Sequence, residues 1–123
     1  MVRVLTVDDH ASFRVAAHAL VAATDGFEEI GQACTAERAI TAADRLRPDL
    51  ILMDMRLPDM DGCEASRRIV AAHPDVVVVL ITSAEDMVRV SDAATCAAVR
   101  IMGKDQLRPS VLQGIWEDHS RER

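Results

Sequence analysis

Hydrophobic residues along the 123-residue chain fall into two alternating patterns, short unbroken runs and longer stretches of helical spacing. The runs cover residues 2–7, 29–34, 50–53, 76–82 and 99–102, mostly aliphatic and rich in β-branched side chains. Strands of a parallel sheet covered on both faces read this way. Between them, Phe13, Ala16, Ala17 and Leu20 share i, i+3, i+4, i+7 spacing and predict a helix starting near Ser12. Ala39, Ala43 and Leu46 form a second stripe ended by Pro48, and Ala65 and Ile69 mark a third that stops before Pro74. Val111, Leu112, Ile115 and Trp116 form the last, entered through Pro109, a residue suited to the first helical turn. A further helix is expected over residues 85–97, where Met87, Val88 and Val90 give a less regular apolar face.

Five strands alternating with five helices predict a (βα)5 doubly wound α/β fold. Right-handed crossovers then place helices on both faces of one parallel sheet. A single domain over residues 1–119 accounts for the length, and the polar stretch from Glu117 predicts a fraying tail or the start of a linker over 120–123.

Charge narrows the function classes. Twenty acidic against fourteen basic residues give a net charge of −6, which disfavours a nucleic-acid backbone as a ligand of this segment. Phe13, Phe27 and Trp116 are too few to stack bases. The longest apolar run, residues 76–81, falls far short of the roughly 20 residues that span a bilayer. Asp8 and Asp9 follow the N-terminus too closely for a signal-peptide core, so a cytoplasmic location without membrane attachment is expected. Cys34, Cys63 and Cys96 are odd in number and widely spaced among apolar neighbours, which predicts buried thiols in place of a disulfide or a metal site.

In an open parallel sheet the functional crevice lies beyond the carboxyl ends of the strands. The residues just after the predicted strands are Asp8 and Asp9, Asp54, Thr82 and Ser83, and Lys104, the chain's only lysine. Each has an ordinary alternative: aspartates cap helices, and Pro58, Asp59, Asp61 and Gly62 form turns. Their coincidence at four strand ends favours a common site. Carboxylates gathered at one sheet edge repel each other and call for a cation, and hard oxygen ligands with open positions suit Mg²⁺. No glycine-rich phosphate loop is present. The set reads as a carboxylate nucleophile, Asp54, forming an acyl phosphate with Mg²⁺ held mainly by Asp9 and Asp54 and supported by Asp8. Lys104 and the Thr82 hydroxyl would meet phosphoryl oxygens.

With Asp8-Asp9-His10, Met53-Asp54-Met55-Arg56-Leu57-Pro58, Asp61-Gly62, Thr82 and Lys104-Asp105, the chain resembles the CheY-like receiver domain of two-component response regulators over essentially its whole length. It looks most like the NarL/FixJ (LuxR-like) class. The resemblance implies a flavodoxin-like sheet of order 2-1-3-4-5, phosphorylation of Asp54 by a sensor histidine kinase, and the Arg56 backbone carbonyl as a further Mg²⁺ ligand. It implies a phospho-accepting switch that catalyses only its own phosphorylation and dephosphorylation. It further implies that Thr82 repacks a face made by the fourth helix, fifth strand and fifth helix. Homodimers through that face, or through the first and fifth helices, are implied too, and the chain reads either as the receiver part of a DNA-binding transcription regulator or as a stand-alone receiver.

Departures from the family pattern cluster on that face. Ile101 stands where an aromatic switch residue is usual, and Ala97 and Arg100 where glycines are usual. His10 is expected to serve helix entry, and Arg67 and Arg68 to be solvated. A pseudo-receiver, an interaction module without the switch, is the competing binding-module reading. A haloacid-dehalogenase-like phosphatase would place its nucleophile in Asp59-Met60-Asp61-Gly62, five residues beyond the strand end and past Pro58. A calcium loop fails because Leu57 occupies a ligand position.

Overall fold

The computed structural model describes residues 1–83, 86 and 93–121. Five strands, β1 (Val2–Val7), β2 (Phe27–Ala33), β3 (Leu50–Asp54), β4 (Val77–Thr82) and β5 (Arg100–Gly103), form one parallel sheet of order β2-β1-β3-β4-β5. The expected order and parallel pairing are both present. Four α-helices are described: α1 (Ala11–Ala22), α2 (Ala36–Leu46), α3 (Gly62–Ala72) and α4 (Pro109–Arg121). Most of the helix expected over 85–97 lies outside the described residues, and its last part, Ala93–Cys96, is a 3₁₀ turn.

β3 and β4 are buried at every position, as central strands covered on both faces must be. Alternate side chains feed two apolar layers. Leu5, Val7, Ile51, Met53, Val78 and Leu80 pack with α2 and α3, while Val4, Leu50, Leu52, Val79 and Ile81 pack with α1 and α4. The alanine stripe of α2 (Ala36, Ala39, Ala42, Ala43) is buried, so the helix approaches the sheet without bulky spacers.

The starts of α2 and α3 are fixed by side-chain oxygens of loop residues. Thr35 Oγ1 accepts from Arg38 N at 3.1 Å, and both oxygens of Asp59, from the loop after β3, accept from Ala36 N and Glu37 N. Asp61 Oδ1 accepts from Cys63 N at 2.6 Å and opens α3. At the far end of the chain, α4 continues through Arg121, so the expected polar tail begins as helix.

Two sequence expectations are corrected. Cys63 and Cys96 are joined as a disulfide with Cα atoms 4.6 Å apart, leaving Cys34 as the free thiol. The sheet brings the first turn of α3 and the 3₁₀ turn onto the same face, a proximity that spacing along the chain does not reveal. Arg67 is not simply solvated: its Nη1 donates to Cys63 Sγ at 3.0 Å and to Thr95 O at 3.1 Å. Arg68 does lie on the exposed side, paired with Glu64.

Candidate phosphoryl-transfer site

Register places the site. Val7 of β1 pairs with Met53 of β3, Asp54 with Ile81 of β4, and Thr82 with Gly103 of β5. The residues that end or follow these strands, Asp8, Asp54, Thr82 and Lys104, therefore share one sheet edge. Asp8, Asp9, His10 and Asp54 each offer a ligand atom, all within 4.8 Å of one another. Asp8 is fully buried and Asp54 nearly so, whereas Asp9 and His10 are exposed.

Asp8 Oδ1 accepts from His10 N at 2.8 Å, which turns the chain into α1, and lies 3.0 Å from His10 Nδ1. His10 is the residue that precedes α1, as expected for helix entry, but its ring also lies 3.1 Å from Asp9 Oδ1. Asp8 Oδ2 is buried and has only an ion pair, 2.8 Å from Lys104 Nζ, without the alignment of a hydrogen bond. Asp54 Oδ1 accepts from Arg56 N at 3.0 Å, and Asp54 Oδ2 accepts from Lys104 Nζ at 3.2 Å. Lys104 thus bridges the two buried carboxylates, with its ammonium also 4.7 Å from the centre of the Phe13 ring.

These contacts split the two carboxylates. Burial and the neighbouring Asp8 charge push the Asp54 carboxyl above the usual range, although the Arg56 N–H and Lys104 oppose this. Burial also acts on Asp8, but Lys104 and the His10 N–H outweigh it and hold Asp8 below the usual range. For Lys104, burial favours the neutral form, and the two carboxylates overcome it and raise its pKa.

The loop after β3 is held tightly. Met55 N donates to Ile81 O at 2.9 Å, Gly62 N donates to Met55 O at 2.7 Å, and Arg56 and Asp61 form a bridge. A Cβ at Gly62 would overlap the Asp54 carbonyl oxygen and lie 2.8 Å from Met55 Cα, so glycine is required by this close approach. Asp59 and Asp61 are engaged as caps of α2 and α3, which leaves neither placed as the nucleophile of a phosphatase or as a calcium ligand.

The remaining predicted residues separate into two groups. Thr82 Oγ1, at the end of β4, is buried and has no hydrogen-bond partner among the described residues. Ser83 Oγ instead donates to Asp86, which also pairs with the Arg56 guanidinium at 2.9 Å. Ile101 packs in the apolar layer on the α2 and α3 side. Sequence reasoning missed two supports: Phe13 beside the ammonium, and Arg14, whose Nη1 donates to Asp8 O at 2.8 Å. The i, i+4 spacing of Phe13 and Ala17 marked Phe13 only as an apolar helix position.

The donor set fits Mg²⁺. Its three carboxylates, Asp8, Asp9 and Asp54, offer hard oxygen ligands beside the His10 ring, two of them are buried, and Asp8 Oδ2 lacks a hydrogen bond. The orphaned Thr82 hydroxyl likewise fits an oxygen acceptor brought to the same edge.

Residues 4–115 match the response regulator receiver domain family. The response regulator GacA of Pseudomonas viridiflava is 41% identical over 86 residues, which is 70% of this chain and 40% of that protein. The response regulator protein VraR of Staphylococcus epidermidis is 40% identical over 82 residues, 67% of this chain and 39% of that one. This chain therefore aligns with about 40% of the length of these curated relatives. The receiver domain of the response regulator NarL from Mycobacterium tuberculosis superposes with a TM-score of 0.84 at 24% identity, covering 97% of this chain and 96% of that one.

Proposed function

The chain belongs to the response regulator receiver family, and from that premise we propose that it accepts a phosphoryl group on Asp54, with Mg²⁺, from a sensor histidine kinase in the cytoplasm. The observation that carries this reading is the union of Asp54 with the Asp8 and Asp9 carboxylates and the Lys104 ammonium at one sheet edge. Asp9 and Asp54, the Arg56 carbonyl and, in support, Asp8 would hold the metal. Bound there, Mg²⁺ supplies positive charge that offsets the clustered carboxylates and draws in a phosphoryl oxygen.

An Asp54 carboxylate oxygen attacks phosphorus. An O–P bond forms, the P–N bond of the phosphohistidine breaks, and the imidazole leaves with the electron pair. Burial and the Asp8 charge raise the Asp54 pKa, and Lys104 opposes them by favouring the ionised carboxylate that attacks phosphorus. Arg56 N–H fixes one carboxylate oxygen through the step. Lys104 transfers its contact from Asp54 Oδ2 to a phosphoryl oxygen, and the Thr82 hydroxyl donates to another.

Thr82 turning toward the phosphate vacates space beside β5, where Ile101 lies. This would pass phosphorylation to the face that the family resemblance implies, made by the fourth helix of the expected fold, β5 and the fifth helix (α4 here), the proposed homodimer surface, with α1 and α4 as the other candidate. The net charge of −6 supports a reading in which this segment does not itself bind DNA.

Incubation with Mg²⁺ and acetyl phosphate should add about 80 Da, the mass of one phosphoryl group, and Asp54→Asn should abolish the gain. A gain that persists in Asp54→Asn, or none in the wild type despite Mg²⁺ binding, overturns the assignment.

A further inference from the structure

We propose that Cys63 and Cys96 form a redox-active site, oxidised to the disulfide by a hydroperoxide and reduced to two thiols by a small thiol. The pair ties the first turn of α3 to the 3₁₀ turn Ala93–Cys96, and its two sulfurs sit in different surroundings. Cys63 is 9% exposed, whereas Cys96 is fully buried within the apolar layer. Reagents in solution therefore meet Cys63 first.

The surroundings of Cys63 also favour negative charge on sulfur. Arg67 Nη1 lies 3.0 Å from Cys63 Sγ, and Cys63 is in the first turn of α3, where the helix presents its positive end. Glu64 Oε2 holds Arg67 Nη2 at 2.8 Å, and Thr95 O accepts from Nη1, so the guanidinium is fixed between the two ends of the link.

In oxidation, the Cys63 thiolate attacks the hydroperoxide: an S–O bond forms, the O–O bond breaks, and the leaving oxygen takes a proton as alcohol or water. The Cys96 thiol then loses its proton and attacks the sulfenic sulfur. The S–S bond forms and water leaves, so two thiols have given two electrons to one hydroperoxide. In reduction, an external thiolate attacks Cys63 Sγ and expels the Cys96 sulfur, which takes up a proton. A second external thiol attacks the outer sulfur of the mixed disulfide. Cys63 leaves as a thiolate beside Arg67, and the external pair departs as a disulfide.

The link has a conformational reach. Ala97, directly after Cys96, holds φ at 56°, a left-handed conformation that disfavours a residue with a Cβ. It leads through Ala98 and Val99 into β5, which Lys104 follows directly. Ala97 N and Ala98 N donate to Ala94 O and Ala93 O within the tied turn, at 3.1 and 3.0 Å. Opening the link frees this turn from α3.

No step involves Asp54, so the test is run on both the wild-type chain and Asp54→Asn, and failure of phosphorylation leaves its readout intact. After peroxide treatment, unfolding and alkylation with iodoacetamide, the monomer mass should show one added label, on Cys34. Reduction with dithiothreitol before alkylation should give three. Arg67→Gln should slow oxidation by about tenfold and Arg68→Gln should leave it unchanged. Ala97 and Ala98 amides should exchange at least about tenfold faster once the pair is reduced. Three labels after peroxide, equal oxidation rates in Arg67→Gln and the wild type, or unchanged exchange on reduction would each overturn the proposal.

Discussion

Lys104→Met removes the ammonium that bridges two buried carboxylates while keeping an unbranched stem of similar length against Phe13. The ammonium lies 2.8 Å from Asp8 Oδ2 and 3.2 Å from Asp54 Oδ2. At an effective dielectric constant of about 20, each contact is worth about 5 to 6 kcal/mol of gross attraction. The desolvation of the lysine offsets much of this, and removal of one partner of a buried pair typically costs about 3 to 5 kcal/mol. We expect a loss in that range near about pH 7.5, a large fraction of a small domain's stability. The pH dependence identifies its origin. Without Lys104, the folded-state pKa values of Asp8 and Asp54 both rise, because burial and mutual repulsion then act with little opposition. A raised carboxylate pKa favours the protonated folded state, so the penalty fades as pH falls through that raised range. Urea unfolding of both proteins at about pH 7.5 and about pH 5 should show the deficit shrinking at the lower pH. Added Mg²⁺ should restore part of it at the higher pH. A deficit of under about 1 kcal/mol at about pH 7.5, or an equal deficit at both pH values, would refute an electrostatic role for Lys104 in the resting site.

Thr82→Val replaces a buried hydroxyl that lacks a partner, so the resting protein should be as stable as the wild type or about 1 kcal/mol more so by urea unfolding. A loss of more than that would show the hydroxyl to be bonded. Gly62→Ala drives a methyl group into the backbone of Asp54 and Met55 and should cost about 2 to 3 kcal/mol. It should also weaken Mg²⁺ binding measured by calorimetry, because the loop that carries Arg56 must shift. Reduction of Cys63–Cys96, which spans 33 positions, should lower stability by about 3 to 4 kcal/mol in unfolding measured with and without dithiothreitol.

The carboxylate edge was legible in the sequence because it depends on two things a sequence displays, where apolar runs stop and which polar residue follows. Asp8, Asp9, Asp54 and Thr82 met both conditions, and Lys104 followed a run one glycine late. What escaped depends on contacts between distant turns. Asp59 reads as a turn residue, and only the fold sends its carboxylate to the start of α2. Arg67 and Arg68 look equivalent as neighbours, yet one reaches across to Thr95 and the other pairs along its own helix with Glu64. The odd cysteine count and wide spacing argue against a Cys63–Cys96 link, because neither displays the sheet face that the two residues share. Ala97 is the intermediate case. The sequence marked it as standing where glycine is usual, and its left-handed backbone now gives a reason a glycine would suit the position.

Lys104 has one further consequence. Every other side chain of fixed positive charge in these 123 residues is an arginine. Within these 123 residues, side-chain chemistry directed at primary amines therefore has one address, the ammonium that bridges Asp8 and Asp54. An acyl group transferred to that nitrogen would erase the positive charge between Asp8 and Asp54 while leaving the protein's surface charge almost untouched. An amine-directed reagent thus reports on this pocket with little background, and its rate should fall whenever the ammonium is engaged more strongly.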